Sequence, residues 1–151
     1  MTLILRSLGS TELSAASELC LRSKAYWGYD EAFMASCREE LTLTEADLTD
    51  DKVIAAEDRS GLAGIAQVSN GPTGCYLEKL FIDTDRIGQG IGKQLYDWSL
   101  ATARDLGAKI LIVEADPDAA PFYERMGCKR DGQAESGSVP DRILPRYVHI
   151  L

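Results

Sequence analysis

From Leu77 to Leu95 the chain reads Leu77-Glu78-Lys79-Leu80-Phe81-Ile82-Asp83-Thr84-Asp85-Arg86-Ile87-Gly88-Gln89-Gly90-Ile91-Gly92-Lys93-Gln94-Leu95. An apolar run passes through a short acidic turn into alternating glycines and then into a helical pattern. Ile91, Leu95, Trp98, Thr102 and Leu106 recur at three- and four-residue spacing up to Gly107, which marks one face of a helix and its end. Glycine permits close approach and unusual dihedrals, and a helix start presents unpaired N–H groups with a partial positive charge. Such a turn suits a phosphate or pyrophosphate.

On the N-terminal side, Thr2 to Leu5 reads as a strand, Gly9-Ser10 as a helix start, and Thr11 to about Tyr26 as a helix with Leu13, Ala16 and Cys20 on one face. A second helix runs from Glu31 to about Leu41, after the Trp27-Gly28-Tyr29 break. The acidic connection Thr44 to Asp51 has no periodic pattern. Val53–Glu57 and Leu62–Val68 form a hairpin around Asp58-Arg59-Ser60-Gly61, and Asn70–Gly74 turns the chain into a strand at Cys75–Ile82. Beyond the glycine turn and its helix, Lys109–Val113 is a continuous apolar run, as in a strand buried on both faces. Pro117 to Met126 is a short helix opened by proline and closed by Gly127. Cys128–Glu135 and Ile143–Ile150 are the last two strands. The predicted order is β-α-α-β-β-β-α-β-α-β-β, a mixed sheet with helices on its faces in one α/β or α+β domain over residues 1–151.

Composition narrows the function. The 151 residues are 45% apolar and 26% charged, ordinary for one globular domain, and no apolar run approaches the roughly 20 residues of a membrane span. A formal charge of −8 argues against a polyanionic partner, so no nucleic acid and no membrane is expected. The N-terminus lacks a secretory pattern, and a cytoplasmic location is the expectation. Cys20, Cys37, Cys75 and Cys128 form no C-x-x-C pair and His149 is the lone histidine, so reduced thiols and no metal site are expected. One histidine so near the end also argues against a Ser-His-Asp or Cys-His hydrolase.

Two nucleotide readings of the glycine turn weaken residue by residue. A Walker loop needs glycine where Ile87 stands and Ser or Thr where Gln94 stands. A Rossmann fingerprint belongs on the first βα turn, whereas this turn follows several strands. The segment Leu77 to Leu95 resembles the acetyl-CoA signature of the GNAT (general amine N-acetyltransferase) superfamily. Glu114-Ala-Asp-Pro-Asp-Ala-Ala-Pro-Phe-Tyr-Glu-Arg-Met-Gly127 is similar to its second signature, a short helix carrying Phe-Tyr and ending in Gly. Two departures stand out: the loop position normally Gln or Arg is Ile87, with Arg86 displaced by one, and the Asn that often contacts the pantetheine arm is aligned with Asp118.

That resemblance implies a seven-stranded, mostly antiparallel sheet and an acetyltransferase with acetyl-CoA as co-substrate. It implies strands Cys75–Ile82 and Lys109–Glu114 splayed around the pantetheine arm, with backbone groups of Leu80, Phe81 and Ile82 pairing to it. The pyrophosphate would rest on Gly88, Gln89, Gly90, Ile91, Gly92 and Lys93. Tyr123 takes the general-acid position, a phenol protonated at neutral pH, against the reading of a core aromatic. Glu78 is the candidate base, on one strand face with Leu80 and Ile82 by alternation, against an ordinary surface glutamate. Trp27, Tyr29 and Arg142, with Lys24, Tyr26, Ser138 and Asp141 around them, are expected to meet the amine acceptor, a small molecule or an exposed protein amine. Clamping of the helix–helix turn is the other reading of those aromatics. The strongly acidic stretch Asp30 to Asp58 would attract an amine or merely be solvated. Exposed strand edges offer a route to a homodimer. A non-catalytic acyl-CoA-binding module is the alternative function.

Overall fold

The computed structural model describes residues 2–151. Its strands are β1 (Ile4–Ser7), β2 (Lys52–Asp58), β3 (Gly61–Asn70), β4 (Cys75–Ile82), β5 (Ile110–Glu114), β6 (Lys129–Glu135) and β7 (Ile143–Ile150). They form one sheet in the order β1-β2-β3-β4-β5-β7-β6. The β4–β5 pair is parallel and the other pairs are antiparallel. The helices are α1 (Leu13–Ala25), α2 (Glu31–Leu41), α3 (Glu45–Asp50), α4 (Ile91–Asp105) and α5 (Ala120–Arg125). None is long and apolar enough to cross a membrane.

Amphipathic spacing decides which face each helix covers. On α1 and α2, Ala16, Leu19, Cys20, Cys37 and Leu41 are buried in one cluster with Ala55 and Ile65 of the sheet. Tyr96, Leu100 and Ala103 of α4 join Val68, Leu77, Leu111 and Val113 in a second cluster, while Ile91 and Leu95 join Ala56, Ala63 and Ala66 in a third. Parallel strands need a crossover, and α4 supplies it between β4 and β5. Leu111, Ile112 and Val113 of β5 are buried, as its unbroken apolar run requires. All four cysteines are buried free thiols, and burial pushes the Cys20 thiol up to about 12.

Several predicted elements move. The first strand begins at Ile4 rather than Thr2, and α1 at Leu13 rather than Thr11, after a 3-10 turn over Ser10–Glu12. The Pro117–Met126 helix divides into a 3-10 turn over Pro117–Ala119 and α5. The connection Thr44 to Asp51, read as structureless, contains α3. A capping box makes this helix: Thr44 Oγ1 accepts from the Asp47 N–H, and Asp47 Oδ2 accepts from the Thr44 N–H at 2.8 Å.

Two irregularities open the sheet. The β4–β5 ladder holds Cys75 to Leu111 and Tyr76 to Ile112 and goes no further. Just beyond it, β3 pairs Val68 with Leu77 and Gln67 with Lys79, so Glu78 is the extra residue of a bulge. A bulge bends its strand and sharpens the local twist. The bend coincides with the point where β4 leaves β5.

Candidate active site

Between the diverging strands lies a cavity of about 670 Å³. Its wall on the α4 side is the glycine turn. Asp83 caps a 3-10 turn over Thr84–Arg86 through the Thr84 N–H, after which Gly88 and Gly90 adopt φ of 87° and 81°. Those left-handed dihedrals suit glycine and explain its alternation here. Gly90 is the N-cap of α4, and the first intrahelical bond runs from the Gln94 N–H to its carbonyl, leaving the N–H groups of Ile91, Gly92 and Lys93 free of the helix ladder. A side chain at Gly92 would place its Cβ 3.2 Å from Phe122, so glycine also lets α5 close against α4. A cradle of backbone donors at the positive end of a four-turn helix fits a pyrophosphate.

Arg86 does not face that cradle. Its guanidinium is buried and donates to both Asp58 oxygens at 2.9 and 3.0 Å, with Asp83 at 3.6 Å. Arg22 holds Asp83 from α1 at 2.8 Å. The hydrogen bonds from these arginines keep Asp58 and Asp83 below the ordinary carboxylate range. Arg86 therefore ties the β4–α4 loop to the β2–β3 hairpin, and Ile87 beside it is 48% exposed. Arg125 on α5 also lines the cavity, a cation that motif reading passed over.

The bulge also corrects the placing of Glu78. Simple alternation puts it with Leu80 and Ile82, but the extra residue breaks the phase: Leu77 and Leu80 both pack in the α4-side core. Glu78 is exposed at the cavity wall and accepts from Ser69 Oγ at 2.8 Å. Lys79, the next residue, is buried and donates to Gln67 Oε1 at 3.0 Å. The Gln67 amide nitrogen donates in turn to Asp47 at 3.1 Å and Asp51 at 2.7 Å, so α3 and its C-cap are tied through Gln67 to the bulge.

Two acids that sequence reading missed stand at the end of β5. Glu114 lines the cavity with Glu78 and Glu40. Burial and the nearby charge of Glu78 raise its carboxyl above the ordinary range, against the opposing effect of Arg146. Asp116 accepts from Lys24 Nζ at 2.6 Å, Tyr29 Oη at 2.8 Å and the Asp118 N–H at 2.9 Å. Burial works to raise its carboxyl, but those donors, Lys24 foremost, outweigh it and hold the group below the usual range. Asp118 itself is exposed, its carboxylate 3.4 Å from Tyr29 Oη. Tyr29 stacks on Phe33 with centroids 4.0 Å apart and accepts from Arg142 Nη2 at 2.8 Å. Trp27 lines the cavity mouth, half exposed, edge-on to Tyr26. Neither Asp116 nor Phe33 carries a local sequence signal, since Lys24 of α1, Tyr29 before α2, Phe33 of α2 and Arg142 before β7 meet around Asp116 only in the fold.

Tyr123 comes from α5 into the same cavity and is 7% accessible. Burial, then the neighbouring Cys128 and Asp116, push its phenol upward, so it holds its proton throughout the physiological range. Behind it, Tyr96 Oη lies 2.8 Å from both Cys128 Sγ and His149 Nδ1. Burial keeps His149 low and neutral. Leu80, Phe81 and Ile82 line the opened edge of β4, with Gly88, Gly90, Ile91, Gly92 and Lys93 beyond them; Gln89 follows in the same turn.

A sheet split at a parallel pair, with a glycine turn and helix N-terminus on one side of the cleft, defines an acyl-coenzyme A type of fold. Residues 15–137 match the acetyltransferase (GNAT) domain, and the chain belongs to that family, whose co-substrate is acetyl-CoA. It is 41% identical over 63 residues to the peptidyl-lysine N-acetyltransferase YjaB of Salmonella typhimurium, a match spanning 42% of this chain and 42% of that protein. The fold is similar to that of the PaiA N-acetyltransferase of Thermoplasma acidophilum in complex with coenzyme A. The TM-score is 0.84 at 17% identity, covering 100% of both chains. It is also similar to an acetyltransferase of the GNAT family from Staphylococcus aureus, with a TM-score of 0.77 at 16% identity over 99% of each chain. At those identities the two structural likenesses concern the fold.

Proposed function

We propose that this protein transfers an acetyl group from acetyl-CoA to a primary amine, of a small molecule or an exposed protein amine, by direct attack within a ternary complex. The observation that carries the reading is the convergence of the split β4–β5 pair, the glycine turn and a protonated Tyr123 on one cavity. Leu80, Phe81 and Ile82 pair with β3 on one edge and have no β5 partner on the other, so the backbone groups on that open edge can pair with the pantetheine amides. The N–H groups of Gly88 to Lys93 hold the pyrophosphate, and Arg125 supplies the cation that Ile87 does not. Asp118, standing where a donor is usual, adds only its exposed carboxylate.

The co-substrate supplies an acyl thioester. The acceptor nitrogen forms a bond to the acyl carbon as the carbon–sulfur bond breaks. A preorganised β4 N–H takes up the charge building on the carbonyl oxygen. The proton leaving the amine passes to Glu114 or, through water, to Glu78. Tyr123 gives its proton to the departing thiolate. Although Glu114 is exposed at the end of β5, partial desolvation and the charge of Glu78 raise its carboxyl, and a raised carboxyl is the better base at neutral pH. Trp27, Tyr29 and Arg142 border the acceptor's entry.

The first test is the melting temperature with acetyl-CoA, coenzyme A, ATP and NAD. A ligand at 100 times its dissociation constant stabilises by about 2.7 kcal/mol, a rise of roughly 5–10 °C at this size. A rise with acetyl-CoA and coenzyme A alone is the expected outcome; a rise with ATP or NAD instead would sink the reading. The exposed Ile87, the inward Arg86 and the acid at Asp118 favour a second reading, a non-catalytic acyl-CoA-binding module. That reading predicts the same rise with no turnover over a broad amine panel.

A further inference from the structure

The acceptor side of the cavity holds a cation that the fold does not use up. Asp116 is already satisfied by Lys24, Tyr29 and the Asp118 N–H, at 2.6, 2.8 and 2.9 Å. Arg142 reaches that carboxylate only at 3.5 Å and gives its one short hydrogen bond to Tyr29 Oη. Its Nε and Nη1, with three of the five guanidinium N–H groups, have no hydrogen-bond partner among the described residues. The exposed Asp118 nearby reaches only Tyr29, and water screens its charge.

Arg142 is also fixed in place. Its side chain is 17% accessible, and Cζ lies 4.7 Å from the Phe33 ring centroid and 5.2 Å from that of Tyr29. Those remaining donors are not buried without a partner: they open on the cavity, where water satisfies them and the oxygens of an incoming anion can take its place. A planar fork matches a carboxylate, whose two oxygens accept in parallel. Glu78 and Glu114 line the same cavity, and at its Arg142 end the charges of Lys24 and Arg142 stand against those of Asp116 and Asp118.

Resting on the transferase reading, we infer that the acceptor is a small amine that also bears a carboxylate, an amino acid or close derivative. Its carboxylate sits on Arg142 and its amine points toward Glu114. Cations drawn only by negative charge would leave Arg142 unanswered and be repelled by it. A lysine side chain within a protein brings no carboxylate of its own, so such acceptors are disfavoured.

The experiment first measures coenzyme A binding to the purified chain by calorimetry, then transfer from acetyl-CoA by product mass and coenzyme A release. The acceptors are the twenty amino acids, their amides and their decarboxylated amines. At least one amino acid is expected to exceed both its amide and its decarboxylated amine by tenfold or more in kcat/KM, chiefly through KM. In Arg142→Gln that ratio is expected to fall to about one with coenzyme A binding kept, which shows the variant folded. Arg142→Lys, a cation without the fork, should restore only part of the ratio. Equal rates on amine and amino acid, a preference that survives Arg142→Gln, or no transfer to any amino acid while coenzyme A binds would each overturn the inference. Absence of coenzyme A binding would overturn the transferase reading beneath it as well, and calorimetry reads that before any acceptor is added.

Discussion

Tyr123 and Glu114 reach the cavity from different elements, and their environments push both groups toward the protonated form. For Tyr123 this is useful at any neutral pH: a phenol that keeps its proton remains a donor. Tyr123→Phe should lower kcat about 100-fold, the low end for losing a positioned acid, with the dissociation constant for acetyl-CoA unchanged by calorimetry. Glu114 is different, because a base must first lose its proton. Its raised carboxyl means the folded chain binds that proton more tightly than the unfolded chain does. The associated stability is therefore present at low pH and lost as pH rises through the folded-state value. Two outcomes follow for Glu114→Gln. The rise of kcat with pH on the acidic limb should disappear from the rate profile, and Tm at pH 7 should increase. An acidic limb that persists unchanged in Glu114→Gln would remove Glu114 from the base position. If the acidic limb moves instead in Glu78→Gln, that role belongs to the bulge.

At the scale of elements, the irregular segments position the site. Arg86 is enclosed against Asp58, while Asp83 keeps Arg22, so Arg86→Leu strands the Asp58 carboxylate and frees the glycine turn. Thermal unfolding should show a Tm lower by several degrees and acetyl-CoA binding should weaken. Lys93→Ala removes only an exposed pair with Asp97, and its Tm should stay within error. Thr44→Ala should cost about 1 kcal/mol in urea unfolding through its lost cap. Strand β4 was readable to the residue because a glycine turn precedes it and an aspartate cap follows. The helix α4 was readable because its apolar stripe continues over four turns. The helix α3 was not, since its six residues are polar and carry no period; only Thr44 with Asp47 hinted at a cap. The face of Glu78 was misread because a bulge is set by register with β3, where Gln67 and Val68 choose partners two residues apart. Asp116, Phe33 and Glu114 were illegible for a related reason: each is defined by residues distant in sequence, Lys24 and Arg142 for Asp116, Arg142 for Phe33, and Glu78 and Arg146 for Glu114. The motif did lead to the glycine turn and Tyr123, and the cavity joins them.

For the molecule as a whole, the acidic composition does not imply unpaired acids. Hydrogen bonds from Arg6 hold Glu12 down at about 2, and those from Arg86 and Arg22 depress Asp58 and Asp83. Each lowered group contributes stability above its unfolded value, near pH 4, that is lost as pH falls through its folded value. The unfolding free energy should thus decline steeply between about pH 4.5 and 2, followed by urea titration at each pH. A flat profile there would mean these pairs do not persist in solution. Burial of Cys20, Cys37, Cys75 and Cys128 has a different consequence. Burial pushes the thiols of Cys20, Cys75 and Cys128 toward the undissociated, unreactive form, while Cys37 lines the cavity. Cys20, Cys75 and Cys128 should therefore give no colour with a disulfide dye in the native chain, so the dye can count liberated coenzyme A once any reaction of the cavity-lining Cys37 is subtracted. When the fold opens all four sulfurs should react, and the labelling rate becomes a clock for the lifetime of the native state.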